Sequence, residues 1–256
     1  KEALPIDINA SSSKGMKIAL IGKMARQPIV GGGGSGQVFP DHVVSPYESL
    51  LTALNMADQI QPLSVNCTTH AHKNVGYEQA SCVSFNSPTE EECSRRCVGF
   101  NGCEQWTFVG GEKHGHCIFA PTQKGLKPMP GAVSGQCIKT QPTPEWQCNS
   151  DNVCVATTDG NDVELAKSLA SEADVAILAI GTSSGEGSDR ESLSFAQTKH
   201  SCQLMPDADQ DDLVTAIAAV AKSTVVAMVC PGACLTPWRA SVDAILHSFL
   251  PGESYG

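Results

Sequence analysis

One segment of the sequence combines a carboxylate with the backbone freedom that proton transfer needs. It covers residues 181–193 and holds Glu186 between two glycines. A carboxylic acid in such a loop can swing onto a leaving group and act as a general acid. Asp189 and Arg190 follow, where they could hold the loop by an ion pair or contact a substrate hydroxyl. The alternative is that all three charges belong to a solvated loop.

Short apolar runs predict the sheet that would position this segment. Residues 174–181 come directly before Glu186, and residues 16–22, 223–230 and 244–250 have the same character. Such runs are typical of buried parallel strands. In open α/β sheets, ligands bind at the carboxyl ends of the strands, so a site is expected where Glu186 lies.

Helical patterns lie between the predicted strands. A capping-box sequence with proline in the first turn begins at Ser45. Asn161 and Glu164 could begin a helix over residues 162–173 in the same way, and a third helix is expected over about 208–222. Strands that alternate with helices predict an α/β fold, with a mostly parallel sheet covered on both faces.

A cysteine-rich stretch interrupts this alternation. Nine of the twelve cysteines lie between Cys67 and Cys154, among many Gly, Pro, Ser and Thr residues. We interpret the stretch as a disulfide-stapled insertion, in which Thr89 begins a short helix that presents Cys93 and Cys97 on one side. Nine cysteines cannot all pair among themselves. At least one is free, reaches another chain, or pairs with a cysteine outside the stretch: Cys202, Cys230 or Cys234.

The same cysteines indicate an oxidising compartment, which predicts a secreted or lumenal protein. Two acceptor sequons, at Asn9 and Asn66, favour N-glycosylation there. The chain begins Lys-Glu-Ala-Leu-Pro, with neither an initiator Met nor a signal-peptide pattern. We therefore expect a processed piece or a part of a longer protein.

Composition disfavours several classes of function. The 256 residues have a net charge of −10, which would repel a phosphate backbone. No run approaches the roughly 18 apolar residues of a membrane helix. We therefore expect neither nucleic acid as a partner nor a membrane span.

Two motifs resemble ligand sites only superficially. The glycine run over residues 31–36 lacks the direct strand-to-helix connection of a dinucleotide loop and the Gly-Lys-Ser/Thr of a P-loop. A close backbone approach to another domain or to a ligand is its expected use. The histidine pairs lack the spacing of a zinc site: His70, His72, His114 and His116. We expect no metal and no cofactor.

Several ordered motifs resemble the second, (α/β)6-sandwich domain of glycoside hydrolase family 3, the β-glucosidase and β-xylosidase family. They cover most of residues 1–66 and 160–256: LPID, KIALIG, GGGGSGQV, SPYESLLTAL, ADVAILAIGTSSGEGSDRESLSF, STVVAMVCPGACLTPW and AILHSFLPGES. The resemblance implies a three-layer α/β/α sandwich, incomplete at its C-terminus, over residues 1–66 and 147–256. It also implies that Glu186 is the general acid/base and that Asp189 and Arg190 support its loop.

The inserted residues 67–146 resemble a PAN/apple module, a small α+β fold that usually binds proteins or carbohydrate. The resemblance rests on the pattern EEC-x3-C-x5-C-x2-WTF. It implies disulfides between Cys93 and Cys117, between Cys97 and Cys103, and between Cys82 and Cys137. A Cys148–Cys154 pair is suggested by proximity alone.

The resemblance implies part of a secreted, retaining exo-β-glycosidase that hydrolyses terminal β-linked sugars. Such enzymes need two carboxylates. In the family the nucleophile is an Asp on a preceding (β/α)8 barrel, either covalently attached or on a separate chain. No matching motif is present here, so this chain alone is expected to be inactive. The alternative is a non-catalytic extracellular scaffold that binds protein or carbohydrate through the insertion.

Overall fold

The structure is a computed structural model, which describes residues 3–7, 13–32, 35, 40, 42–68, 72–77, 83–99, 103–111, 115–120, 125–187, 190, 192–195 and 209–256. Its strands and helices, in chain order, are β1 (Lys17–Ile21), α1 (Pro46–Ala53), β2 (Ser64–Cys67), β3 (His72–Tyr77), β4 (Val83–Ser87), α2 (Glu90–Gly99), β5 (Gln105–Val109), β6 (Gly115–Ala120), β7 (Leu126–Thr140), β8 (Gln147–Cys148), β9 (Cys154–Thr158), α3 (Val163–Glu172), β10 (Val175–Gly181), α4 (Gln210–Ala218), β11 (Thr224–Val229) and β12 (Ala244–Ser248).

The apolar runs form a mostly parallel sheet in the order β12-β11-β10-β1-β9-β8. Each neighbouring pair from β12 to β9 is parallel, and β8 runs antiparallel to β9. The four predicted strands are present, shorter by one or two residues at their ends. The α/β fold class with a mostly parallel sheet is therefore confirmed.

Helices cover both faces of this sheet, because successive side chains of a strand point to opposite sides. Ile18 and Leu20 of β1 join one core with Tyr47 and Leu51 of α1. Ile21 of β1 joins a second core, on the other face, with side chains of α3 and α4. The result is a helix layer, a sheet and a further helix layer.

Two of the three helices begin as predicted. Ser45 forms the capping box with Glu48 before α1, and α4 begins after Asp209 within the expected range. The expected cap at Asn161 is wrong, because Asp162 caps α3 by accepting a hydrogen bond from the Leu165 N–H. The Asn161 side chain instead bonds the Asp159 carboxylate.

Residues 64–140 contribute a second, antiparallel sheet. Its order is β2-β7-β5-β6-β4, with β3 also paired to β7. The predicted helix at Thr89 is α2, and it packs on this sheet around buried Cys93, Cys97, Trp106 and Phe119. The cysteine-rich stretch therefore has a core of its own.

Ten of the twelve cysteines form five disulfides within the described residues. The Cys93–Cys117, Cys97–Cys103 and Cys148–Cys154 pairs are the expected ones. The expected Cys82–Cys137 pair is wrong. Cys137 bonds Cys67, because the register of β2 and β7 places these two cysteines directly opposite each other. Cys82 and Cys202 lie outside the described residues.

Side chains tie the two sheets together where the chain passes between them. Tyr47 lies buried beneath α1 and donates its hydroxyl to Gln147 Oε1 over 2.8 Å. The Gln61 N–H donates to the same hydroxyl, and Arg26 donates to the Gln61 carbonyl. Farther along, Lys23 Nζ lies 4.0 Å from Glu104 Oε1. None of the helices in the described part of the chain is long and apolar enough to cross a bilayer.

Candidate active site

The parallel strands bring three loops to one edge of the first sheet. The glycine run follows β1 and a short 3-10 helix, the Glu186 loop follows β10, and a disulfide-closed turn from Cys230 to Cys234 follows β11. Because β1, β10 and β11 are parallel neighbours, these loops leave the same edge. This is the edge at which open α/β sheets place ligands.

The start of the Glu186 loop is held by α4. Gln210, in the first turn of that helix, accepts from the Gly181 N–H over 2.9 Å and donates to the Gly181 carbonyl over 3.0 Å. The next residue, Thr182, donates its N–H to the Val229 carbonyl at the end of β11. The backbone that enters the loop is thus fixed by buried hydrogen bonds.

The far end of the loop is held by the neighbouring residue of α4. Asp211 accepts from the Phe195 N–H over 3.1 Å and from the indole N–H of Trp238 over 2.7 Å. The Ser194 hydroxyl also donates to this carboxylate. Phe195 and Trp238 are buried in the core that α4 covers, so the charge of Asp211 is compensated inside the protein.

Glu186 itself lies at the exposed tip of the loop. One oxygen, Oε2, accepts from the Ser35 N–H over 2.9 Å and also from the Ser35 hydroxyl. These two donors, the hydroxyl first, lower the pKa of Glu186 below its ordinary value. The described arrangement therefore favours the charged form of this carboxyl group.

The glycine run passes directly against the Glu186 loop. A Cβ atom added at Gly32 would lie 2.7 Å from the Ser184 carbonyl oxygen, closer than side chains approach backbone oxygens. Glycine is therefore required at this position for the two loops to touch. The close backbone approach is present, but its neighbour is the Glu186 loop at the same sheet edge and not another domain or a ligand.

Arg190 holds the loop from its other side, although not through an ion pair within the described residues. It donates to the Ala233 carbonyl over 2.5 Å, and its second terminal nitrogen lies 3.3 Å from Cys234 Sγ. Both atoms belong to the turn that the Cys230–Cys234 disulfide closes. Asp189 lies outside the described residues.

Of the two predicted glycosylation sites, the structure describes Asn66 alone. Asn66 is exposed in β2, and Asn9 falls outside the described residues. His70 and His114 also fall outside them. Within the described ranges, no three His, Cys, Asp or Glu side chains are grouped as metal ligands.

Four residues of the site were not identified from the sequence: Ser35, Gln210, Asp211 and Trp238. Ser35 carries the one polar side chain of the glycine run. That side chain is the signal from which a role in the site could have been predicted. Asp211 is an acidic residue in the first turn of a helix, where the helix dipole favours such residues, so its type there indicates no further role. Its buried partners come from segments 16 and 27 residues away, which no local pattern reveals.

Known proteins resemble the chain at the level of family and fold. The model of the glycosyl hydrolase family 3 C-terminal domain matches residues 1–256. The crystal structure of DesR, a β-glucosidase from Streptomyces venezuelae in complex with D-glucose, matches with a TM-score of 0.50 and 17% identity, over 99% of this chain and 33% of DesR. A β-glucosidase from Kluyveromyces marxianus in complex with glucose gives 0.49 and 14%, over 93% of this chain and 35% of that one.

The chain thus spans about a third of the DesR chain. No curated protein matches it. The family model, in contrast, covers every residue, including the second sheet. The chain therefore belongs to the glycosyl hydrolase family 3 C-terminal domain family.

Proposed function

We propose that the chain is part of a secreted, retaining exo-β-glycosidase in which Glu186 is the general acid/base. The observation that carries the proposal is the placement of Glu186. Its carboxylate lies exposed at the tip of a loop whose two ends are fixed by Gln210 and Asp211. A rigid base with an open tip lets the carboxyl group meet a sugar supplied from outside the chain.

The proposed reaction has two displacements. A carboxylate on a separate (β/α)8 barrel attacks the anomeric carbon, the glycosidic bond breaks, and Glu186 transfers its proton to the leaving oxygen. Glu186, now a carboxylate, then takes a proton from water while the water oxygen attacks the anomeric carbon and releases the nucleophile. This chain supplies one of the two carboxylates, so we expect it to be inactive without the barrel.

The loop supports belong to the same proposal. Arg190 would keep the loop against the turn after β11, since it donates to the Ala233 carbonyl there. Asp189 is proposed as a second support or a contact for a sugar hydroxyl. Secretion is supported by the five disulfides, and Asn66, exposed in β2, is proposed as a glycosylation site with Asn9.

For residues 67–146 we propose a PAN/apple-like module that binds protein or carbohydrate. The support is the antiparallel sheet with α2 packed on it around the Cys93–Cys117 and Cys97–Cys103 disulfides. This module is also the basis of the second candidate function, a scaffold without catalysis.

Hydrolysis of aryl β-glucosides and β-xylosides by the intact parent protein decides between the two functions. We expect Glu186→Ala to reduce turnover at least a hundredfold for poor leaving groups, the usual contribution of general acid catalysis. Azide should restore part of the rate with activated substrates, since it replaces water without needing a base. Glu164→Gln, at an exposed position of α3, is the matched control and should retain activity.

Absence of turnover by the parent across the panel would contradict the glycosidase proposal for these sugars. Equal activity of the Glu186→Ala variant and the parent would leave the enzyme but remove Glu186 as its acid/base.

A further inference from the structure

Ser35 makes an unusual contact with the proposed catalytic carboxylate. Its N–H and its hydroxyl both donate to the same oxygen, Glu186 Oε2, the first over 2.9 Å. The two residues are 151 positions apart in the chain, so the contact depends on the fold and not on local geometry. Both lie at the surface, where a serine hydroxyl and a carboxylate can each be solvated by water instead.

The described backbone that precedes Ser35 is held on two sides. Gly32 lies against the Ser184 carbonyl, which places the glycine run alongside the strand-end backbone that leads to Glu186. On its other side the run is held by the end of the chain, where the Gly252 N–H donates to the Val30 carbonyl. Gly32 and Val30, three and five residues before Ser35, are therefore each held by a described neighbour.

The contact stabilises the ionised form of Glu186 more than its protonated form. Two donors on one oxygen stabilise a carboxylate, whereas a protonated carboxyl group has a donor of its own and gains less from them. The lowered pKa of Glu186 has these two hydrogen bonds as its first and second causes. The described arrangement suits the step in which Glu186 accepts a proton and opposes the step in which it donates one.

We propose that Ser35 is a positioning residue that holds Glu186 as a base and must release it before Glu186 can protonate a leaving group. The inference rests on the proposed function, and it adds a second position of Glu186 to that mechanism. With the carboxylate on Ser35, the acid/base is ready to activate water. With the contact broken, the carboxyl group is free to take up the proton that the first displacement requires.

The first test is a titration that does not depend on activity. The full chain is labelled with carbon-13 at the glutamate carboxyl carbon, and Glu186 is assigned by comparison with Glu186→Gln. We expect Ser35→Ala to move the Glu186 titration to higher pH, because one of the two donors is lost. Ser35→Thr retains the hydroxyl and the N–H and should restore the original titration. Ser64→Ala, exposed in β2, is the control and should not change it.

The second test separates the two chemical steps in the intact parent protein. With an activated aryl glucoside, water attack limits turnover, and we expect Ser35→Ala to lower kcat about tenfold, the loss of one hydrogen bond to a charged group. With a poor leaving group, the basic limb of the pH profile of kcat/KM should move to higher pH. If the contact had only a structural role, Ser35→Ala would lower the rates with both substrates and leave the basic limb of the kcat/KM profile at the same pH.

The outcomes distinguish this inference from the proposed function. If the parent is inactive but its Glu186 titration responds to Ser35→Ala, the glycosidase proposal is contradicted. The contact between Ser35 and Glu186 then remains, but the two-step role of Ser35 is lost. An active parent in which Glu186 titrates at the same pH before and after the Ser35→Ala and Ser35→Thr substitutions overturns the role of Ser35 and leaves the glycosidase intact.

Discussion

Glu186 accepts its hydrogen bonds from Ser35 at the point where two loops of the sheet edge meet. Ser35 itself can reach this point because Gly32 allows the glycine run to touch the Ser184 carbonyl. A missing side chain at one residue thus permits a contact by another residue three positions later. At the residue scale, the site depends as much on Gly32 as on the groups that carry charge.

Replacement of Gly32 by alanine should separate the two loops. The new Cβ would lie 2.7 Å from a backbone oxygen, which cannot move aside as a flexible side chain does. We expect Gly32→Ala to lower the free energy of unfolding by about 1–3 kcal/mol, the usual effect of overpacking. It should also move the Glu186 titration in the same direction as Ser35→Ala. Urea unfolding and the carbon-13 titration measure the two effects.

Gly110→Ala is the matched control for this prediction. No atom lies within 4 Å of a Cβ added at Gly110, so its stability should stay within about 0.5 kcal/mol of the parent or rise slightly. Equal stability of the two variants would mean that the loops do not approach as closely as the structure shows.

At the scale of elements, the Cys67–Cys137 disulfide joins β2 to β7 across 70 residues of chain, beside a four-residue strand pairing and hydrogen bonds between Thr68 and Gln136. Cys67 and Cys137 are 70 residues apart, whereas Cys97 and Cys103 are 6 apart. The β2 strand has exposed side chains over most of its length, so burial adds little to its attachment. The Cys67–Cys137 bond therefore closes the second sheet at the position where the chain enters it.

Removal of the Cys67–Cys137 disulfide should destabilise the chain more than removal of the shorter one. The loop-entropy relation gives about 4 kcal/mol for the Cys67→Ser/Cys137→Ser variant and about 2 kcal/mol for Cys97→Ser/Cys103→Ser. Denaturant unfolding measures the difference, with Trp106 fluorescence as a probe inside the second sheet. A larger loss from the shorter pair would contradict the role given to Cys67–Cys137. Peptide mapping without reduction should join Cys67, and not Cys82, to Cys137.

The elements that were predicted correctly carry local signals. The strands of the first sheet are continuous apolar runs, and Ser45 is followed at the right spacing by Glu48, so neighbouring residues alone determine them. The cap of α3 was placed one residue early because Asn161 and Asp162 are both good caps. The partner of Cys137 and the partner of Glu186 depend on pairings across 70 and 151 residues, for which the sequence contains no local signal.

At the scale of the whole molecule, polar contacts of described residues join the second sheet to the first. The Tyr47 hydroxyl binds both Gln61, which precedes the second sheet in the chain, and Gln147, which follows it. Arg26 lies over the Tyr47 ring, 3.6 Å from its centroid, and donates to Gln61. These contacts hold the base of the second sheet against α1.

The charge of Lys23, which follows the first strand of the first sheet, acts on Lys139 of the second sheet. Lys139 at the end of β7 is half-buried beside Lys23, which itself follows β1. Burial first, and then the charge of Lys23, lower the pKa of Lys139 from 10.5 to about 7, while Glu104 opposes the shift. Below about pH 7, Lys139 is protonated in both the folded protein and the unfolded chain. The folded protein releases this proton at a lower pH than the unfolded chain does.

This arrangement predicts that stability rises with pH above neutrality. Between about pH 7 and pH 10.5 the unfolded chain keeps the Lys139 proton while the folded protein releases it. Stability increases wherever the unfolded state binds more protons, so the penalty is complete below about pH 7 and is relieved as the pH rises. We expect the free energy of unfolding, measured with urea from pH 6 to 9, to increase over this range. Lys139→Met should remove the increase, because no proton is then released there.

Lys127→Met, near the other end of β7, is the control and should retain the increase. If Lys139→Met kept the slope of the parent, the two sheets would not meet around a desolvated lysine. If both variants lost it, the slope would report the net charge of β7 and not the contact with Lys23. A slope lost in Lys139→Met alone would place the pH response at the junction of the sheets. That junction includes Lys23, which follows β1 two residues after the end of that strand and precedes the glycine run.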